Sequence, residues 1–500
     1  MRLRTSLAVA AALSTVAAAS AAAAPKPAGP AGPAPFIGAP ATAKPITGVP
    51  KTPQNPFMAA NGQGATHNDG WQTDAYRYGG PLGRNPIMKS TDFTGDCISV
   101  NFDRKGRIVA ICQDPSVGPT LYMFDPTTLE QLGKFDLPPR QDPPPGISPL
   151  KDTGGGVYNF MDNKDRIWNG TTTRHILVIR EQGNGFALQR DYDLSKILRE
   201  DERIVSVLPD WKTGKMWFVA RRDGVVGVLD PKTGKAKVIR LGNGLENEIE
   251  NSFAVGKDGA YVATNRKMLR LRIGRNLTPK IVWQDSYKTI KGLTKPGQFD
   301  DGTGTTPTIM PGGYVAITDN ADPMNVVVFR TATHLKKGKS RKVCEVPVFE
   351  KGQSDTENSL VNVGRSLLVE NNYGYDVLNW LSQPELATSP GFARVDVNKD
   401  GQGCHIAWTS DERAPSVIPK ASLATGLIYT YTNPPSTAPD DPWYWTAIDF
   451  RTGKTVYKVL AGSGSNWNNH YAAINISPKG TAYIGGFPGG LWSLKDGSAR

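Results

Sequence analysis

The chain has 500 residues, with 58 Lys and Arg against 46 Asp and Glu for a formal charge of +12, and 9% of its residues are aromatic. That aromatic content excludes a wholly disordered polymer, and no stretch beyond the N-terminus reaches the roughly 20 apolar residues that span a bilayer. The basic residues are scattered, and their densest run, Lys336-Lys337-Gly338-Lys339-Ser340-Arg341-Lys342, lies between two strand candidates. With no basic helix and no aromatic–basic interleaving, nucleic-acid binding is not expected.

Arg2 and Arg4 precede an apolar core over residues 7–16 and an Ala-rich run to Ala24. This pattern predicts a signal peptide over residues 1–24, and hence a secreted or otherwise extracytoplasmic protein without integral membrane contact. Residues 25–56 are rich in Pro, Ala and Gly, and predict a flexible or polyproline-like lead. We take 25–69 as leader and loop, and 70–500 as one domain. Four Cys in an exported chain predict two disulfides. Cys97 and Cys112 flank a turn at Gly106, which favours their pairing and leaves Cys344 for Cys404, although four Cys allow three connectivities.

From Cys97 onward nearly every element reads as a strand. The clearest unit runs Ile204-Val205-Ser206-Val207-Leu208, Lys215-Met216-Trp217-Phe218-Val219-Ala220, Val225-Val226-Gly227-Val228-Leu229 and Ala236-Lys237-Val238-Ile239-Arg240. Tight Asp, Gly and Pro turns join these four short strands, the pattern of one propeller blade. Units begin near Cys97, Val157, Ile204, Ser252, Thr308, Ser359, Ser422 and Tyr471, at intervals of roughly 47 to 63 residues. The last is one strand short, and residues 73–78 are expected to supply its outer strand.

The turns Val228-Leu229-Asp230-Pro231-Lys232-Thr233-Gly234-Lys235 and Ala447-Ile448-Asp449-Phe450-Arg451-Thr452-Gly453-Lys454 resemble those of the β-propeller superfamily. The resemblance is strongest to its quinoprotein-like and surface-repeat (YVTN-type) members, and covers residues 70–500. It implies an all-β fold: a single β-propeller of four-stranded blades, eight preferred and seven the alternative, with the ring closed by an N-terminal strand. The tryptophan docking repeats and adjacent-Cys disulfide of the quinone dehydrogenases are not evident, so their cofactor is not carried over.

In a propeller the innermost strands line a shared channel, and a recurring polar phrase precedes them. It reads Glu248-Ile249-Glu250-Asn251-Ser252-Phe253, then Asp355-Thr356-Glu357-Asn358-Ser359-Leu360, then Asn468-Asn469-His470-Tyr471. Any one Asn or Asp is more often a turn residue, but the matching registers suggest convergence. Imidazole titrates near neutrality, so His470 is the leading catalytic candidate, with Glu250 and Glu357. Asn251, Asn358, Asn469, Tyr158 and His67 are the substrate-binding candidates. The oxygens of Glu250, Asp301, Asp319, Glu357 and Glu370 suit Ca²⁺ as a cofactor.

No Gly-x-Ser-x-Gly elbow occurs, and Gly154-Gly155-Gly156 precedes a strand rather than a helix, so no nucleotide or nicotinamide cofactor is expected. The leading reading is a metal-assisted hydrolase (lactonase-like) or lyase acting on a small organic or carbohydrate substrate. Its alternatives are a non-catalytic binding scaffold for a glycan, peptide or cell-envelope partner, and a quinone-dependent dehydrogenase. Whether the protein is an enzyme stays open here, and a monomer is expected.

Overall fold

Asp-led turns set the repeat. In residues 210–215 the Asp210 carboxylate accepts the Thr213 amide (2.9 Å), and Gly214 takes a left-handed φ of 66° while donating to the Asp210 carbonyl. The same construction recurs at Asp230 with Gly234 and at Asp449 with Gly453. Each closes a hairpin, and the strands flanking the Asp210 turn, Ile204–Pro209 and Met216–Ala220, are buried along their whole length.

The computed structural model describes residues 36–91, 95–114, 118–143, 147–376, 388–434, 441–486 and 489–498. The expected signal peptide and the first residues of the leader lie outside them. Ile204–Pro209, Met216–Ala220, Val225–Leu229 and Ala236–Arg240 pair in chain order as an antiparallel meander. Four further sheets repeat this order. They run from Phe160–Met161 to Gly185–Asp193, from Ala254–Gly256 to Pro279–Ser286, from Thr308–Met310 to Lys342–Pro347, and from Val361–Val363 to Cys404–Ser410.

Two sheets are larger. Lys420–Ser422, Leu427–Thr432, Pro442–Asp449 and Thr455–Ser463 gain Phe36–Gly38 on the outer edge and Ala75–Tyr76, in parallel, on the inner one. The final strands, ending in Gly489–Lys495, join the first unit, Gly95–Phe102 to Gln131–Asp136, through a two-residue parallel pairing of Gly489 with Gly95 and Gly490 with Asp96.

The all-β assignment and the four-stranded meanders stand, but the closed propeller does not. Among the described residues the ladders make seven separate sheets, and none closes into a barrel or a propeller, whether of eight blades or of seven. Turn chemistry specifies pairing inside a unit. It does not specify how one unit meets the next, and here the first and last expected units share one sheet. The outer strand of the last unit also differs from expectation. Ile87–Ser90 pairs with Gly489–Lys495, whereas Ala75–Tyr76 pairs beside Ala421–Ser422.

Between sheets, packing is apolar. One buried cluster takes Trp168 and Val178 from one sheet, Phe218 and Val226 from the next, and Val255 and Leu269 from a third. At ~25 cal/mol per Å² of apolar surface removed from water, such faces supply the main stabilisation. Two disulfides form, in the preferred pairing. Cys97–Cys112 bridges adjacent strands, and Cys344–Cys404 ties the outermost strands of neighbouring sheets. They are consistent with a non-cytoplasmic, oxidising compartment. No helix among the described residues is long and apolar enough to cross a membrane.

The inner edges of the sheets are completed by residues 57–76. Their carbonyls accept amides from successive inner strands: Gln63 from Phe102 (2.8 Å), Gly64 from Met161 (3.0 Å), Gly70 from Val255 (2.7 Å), Trp71 from Ile309 (2.9 Å), Thr73 from Asn362 (2.8 Å) and Asp74 from Ala421 (3.0 Å). Asp74 also pairs with the Lys420 ammonium, both side chains being fully buried. Removing one member of such a pair leaves an uncompensated charge in a poorly polarisable interior. Lys420→Met is therefore expected to cost about 3–5 kcal/mol of unfolding free energy, and adding Asp74→Asn to recover most of it, as measured by urea unfolding.

Candidate functional site

The loops before Ala254–Gly256 and Val361–Val363 are the two closest copies of the polar phrase, and the structure brings them together. In the first, Glu248 receives Arg221 Nε (2.7 Å) and Ile249 is buried, which turns Glu250 and Asn251 toward a common space. In the second, the Glu357 amide donates to Asn372 Oδ1 (2.9 Å), and Asn358 Nδ2 donates to the Val417 carbonyl (2.9 Å). Asn251 Nδ2 then bridges Glu250 Oε2 (2.5 Å) and Glu357 Oε1 (3.3 Å), while Tyr158 donates its phenol proton to Asn251 Oδ1. Gly304 is required beside this pair. A Cβ there would stand 2.2 Å from the Thr356 carbonyl oxygen and 2.6 Å from Glu357 Oε2.

Tyr158, Asn251, Glu357 and Asn358 line a cavity of 540 Å³ whose other walls include Ile98, Val157, Phe299, Ile418 and Tyr471. Burial pushes Glu250 well above the usual carboxylate range, and the neighbouring Glu357 charge and hydrogen bond push it further. Glu357 is raised by burial and held down by its hydrogen bond with Glu250 and by the Phe299 amide, which donates to Oε2 (3.2 Å). Both carboxyls are therefore raised toward the protonated form, and Asn251 Nδ2 lies between them. On the opposite wall Asp96 is also raised well above its ordinary value by burial, and its Oδ1 has no hydrogen-bond partner. Arg140, at the rim, is paired with Asp152 (3.2 Å).

Of the expected catalytic residues, Glu357 and His470 face the cavity, and Glu250 stands directly behind Asn251. His470 is not poised near neutrality. Burial lowers its imidazole to about 4, and Nδ1 lies 3.3 Å from the Tyr375 hydroxyl. Of the expected substrate-binding residues, His67, Tyr158, Asn251 and Asn358 line the cavity. Asn469 does not. It holds its own turn through the Ala472 carbonyl (3.3 Å) and meets Ser416 Oγ (3.4 Å).

Of the expected cation ligands only Glu250 and Glu357 meet, and Asp301, Asp319 and Glu370 are held elsewhere. Asp301 is ion-paired with Arg266 (2.7 Å), and Asp319 accepts the amides of Asn325 (2.7 Å) and Ala321 (3.1 Å) in its own turn. Glu370 accepts from Asn358 and from Asn372 Nδ2 (3.0 Å). Among the described residues no three His, Cys, Asp or Glu side chains are grouped to hold a metal ion. Carboxylates that read alike in sequence are here consumed by different local partners. The metal-assisted hydrolase or lyase is corrected on this ground, together with the absence of a closed channel. The scaffold and quinone-dehydrogenase alternatives were likewise framed on a closed propeller, which the described residues do not make.

Sequence reasoning missed Asp74, Ser359 and Lys420. His67 Nδ1 lies 2.9 Å from Asp74 Oδ2, its Nε2 lies 3.3 Å from Ser359 Oγ, and its ring stacks on Tyr158 with centroids 6.0 Å apart. The available signal was Lys420, a lone cation in the short apolar stretch Ile418-Pro419-Lys420-Ala421.

No known family model matches the chain, and no curated protein does. Solved structures match the chain at low identity. A quinohemoprotein alcohol dehydrogenase from Comamonas testosteroni matches with a TM-score of 0.51 and 11% identity, over 90% of this chain and 82% of that one. A functionally unknown protein from Desulfotomaculum acetoxidans DSM 771 matches with a TM-score of 0.36 and 9% identity, over 69% of this chain and 92% of that one. At such identities the first likeness is one of fold alone.

The site's buried acids make its stability depend on pH. Glu370 is raised from 4.5 to about 8 by burial, against the hydrogen bonds of Asn372 and Asn358. The proton is bound more tightly in the folded state, so this contribution is fully present below 4.5 and lost as pH rises through about 8. Glu370→Gln keeps the neutral shape and has no proton to lose. The variant and the native protein are expected to melt alike near pH 4–5, and the variant to be more stable by a few kcal/mol near pH 9, as read from thermal melts across that range.

Proposed function

We propose that the cavity binds a small uncharged organic molecule bearing a carbonyl or hydroxyl group, and moves a proton on it through the Glu250–Glu357 pair without a metal. The meeting of two buried carboxyls, Glu250 and Glu357, on Asn251 Nδ2 beside Tyr158 is the single observation that carries this reading. A carboxyl pair held at one proton offers an acid and a base at the same place, and such groups contribute about 10²–10⁴ in rate. An uncharged ligand suits a wall on which burial raises Asp96 well above its ordinary value and lowers His470 to about 4, while Arg140 shares the Asp152 carboxylate with Arg203. Ile98, Val157 and Phe299 would cover the ligand's apolar side. Export to an extracytoplasmic compartment fits this reading, supported by the two disulfides and by the N-terminal sequence pattern.

The test is exchange. A panel of small ketones and hydroxyketones is incubated with the protein in D₂O and followed by proton NMR. Deuterium is expected to enter the position next to the carbonyl of those that bind, and Glu357→Gln to slow that entry by about 100-fold or more. Exchange that proceeds equally in the variant, or binding of the panel with no exchange, overturns the assignment of the pair.

A further inference from the structure

His67 is 1% exposed, and both of its ring nitrogens have partners. Lys420 only donates, so Asp74 Oδ1 accepts from it, and Asp74 Oδ2 remains to accept from His67 Nδ1. That contact places the imidazole proton on Nδ1 and leaves a lone pair on Nε2. Ser359 Oγ must then direct its own proton to Nε2, 3.3 Å away. Its remaining geometry agrees, because the Thr306 amide donates to Ser359 Oγ (3.1 Å) and occupies one lone pair, leaving the other free. Ser359 and His67 both line the cavity, whereas Asp74 and Lys420 lie behind them, fully buried.

We infer that Ser359 is a nucleophile that accepts an acyl group from a small uncharged ester bound in this cavity. His67 is the base, and Asp74, fixed by Lys420, is its positioning residue. The arrangement meets the geometric requirement for an activated serine: a hydroxyl within reach of an imidazole that a third group orients. In the step, Ser359 Oγ forms a bond to the ester carbonyl carbon while its proton passes to His67 Nε2. The carbon–oxygen bond to the alcohol breaks, and the departing oxygen takes the proton from His67. No oxidant, reductant or metal enters the balance. This step is distinct from the exchange proposed for Glu250 and Glu357 and uses none of their atoms.

4-Nitrophenyl acetate is the probe, with intact-mass and peptide mass spectrometry as the readout alongside release of 4-nitrophenol. The folded native protein is expected to gain one acetyl group, on Ser359. Ser359→Ala is expected to abolish that adduct, and His67→Gln to slow its formation by about 100-fold or more while retaining a cooperative thermal melt. Failure of the folded native protein to acetylate at Ser359 overturns the inference. So does acetylation of Ser359 at an unchanged rate in His67→Gln. Should that variant not fold, the native result decides, since a serine that merely packs against His67 would not be modified in preference to exposed hydroxyls and amines.

Discussion

Amides on the inner edges of the sheets cannot be left without acceptors, and this requirement shapes the rest of the molecule. Residues 57–76 meet it by laying their carbonyls against one inner strand after another. Because the inner strands are only two or three residues long in most sheets, they have little pairing of their own to hold register. The N-terminal segment supplies it from outside. The same segment delivers His67 to the cavity wall and Asp74 to Lys420, so the frame and the candidate chemistry depend on one stretch of chain.

The polar interior carries acids in numbers that need explanation. Glu250, Glu357, Asp96 and Glu370 are all buried, and all are raised above their ordinary values by loss of water. Cations do not answer each of them, although Arg221 takes Glu248 and Arg203 takes Asp152. Amides do much of the work instead. Asn251, Asn358 and Asn372 donate to carboxyl oxygens without bringing charge, and this favours a site that stores protons over one that binds ions.

The sequence made the repeat legible because its turns are chemical. An Asp carboxylate collecting amides and a Gly with positive φ are local requirements, and they appear as Asp-x-x-Thr-Gly at the hairpins led by Asp210, Asp230 and Asp449. The disulfides were legible for the same reason, since Cys97 and Cys112 flank one turn. What joins the units was not, because apolar packing between sheets and a two-residue pairing at Gly489 and Gly490 leave no pattern. In the site, matched copies of one phrase foretold that Glu250, Asn251 and Glu357 would meet. Asp301, Asp319 and Glu370 carried the same chemistry in sequence and were claimed by Arg266, by a turn and by neighbouring amides. Asp74 with Lys420 was beyond reach, since 346 residues separate two side chains that only the folded chain brings together.

That separation bears on how the protein is made. Tyr78 reaches the Ile476 carbonyl across 398 positions, and Leu82 reaches Asp496 across 414. A chain emerging from its N-terminus produces the segment that completes the inner edges long before the last sheets exist. Gln63 and Gly64 can pair early, with Phe102 and Met161, but Asp74 must wait for Ala421 and Tyr78 for Ile476, until almost the whole polypeptide is available. Long-range closure of this kind is slow and exposes strand edges to other chains in the interim. A polypeptide with this layout is kept from finishing early.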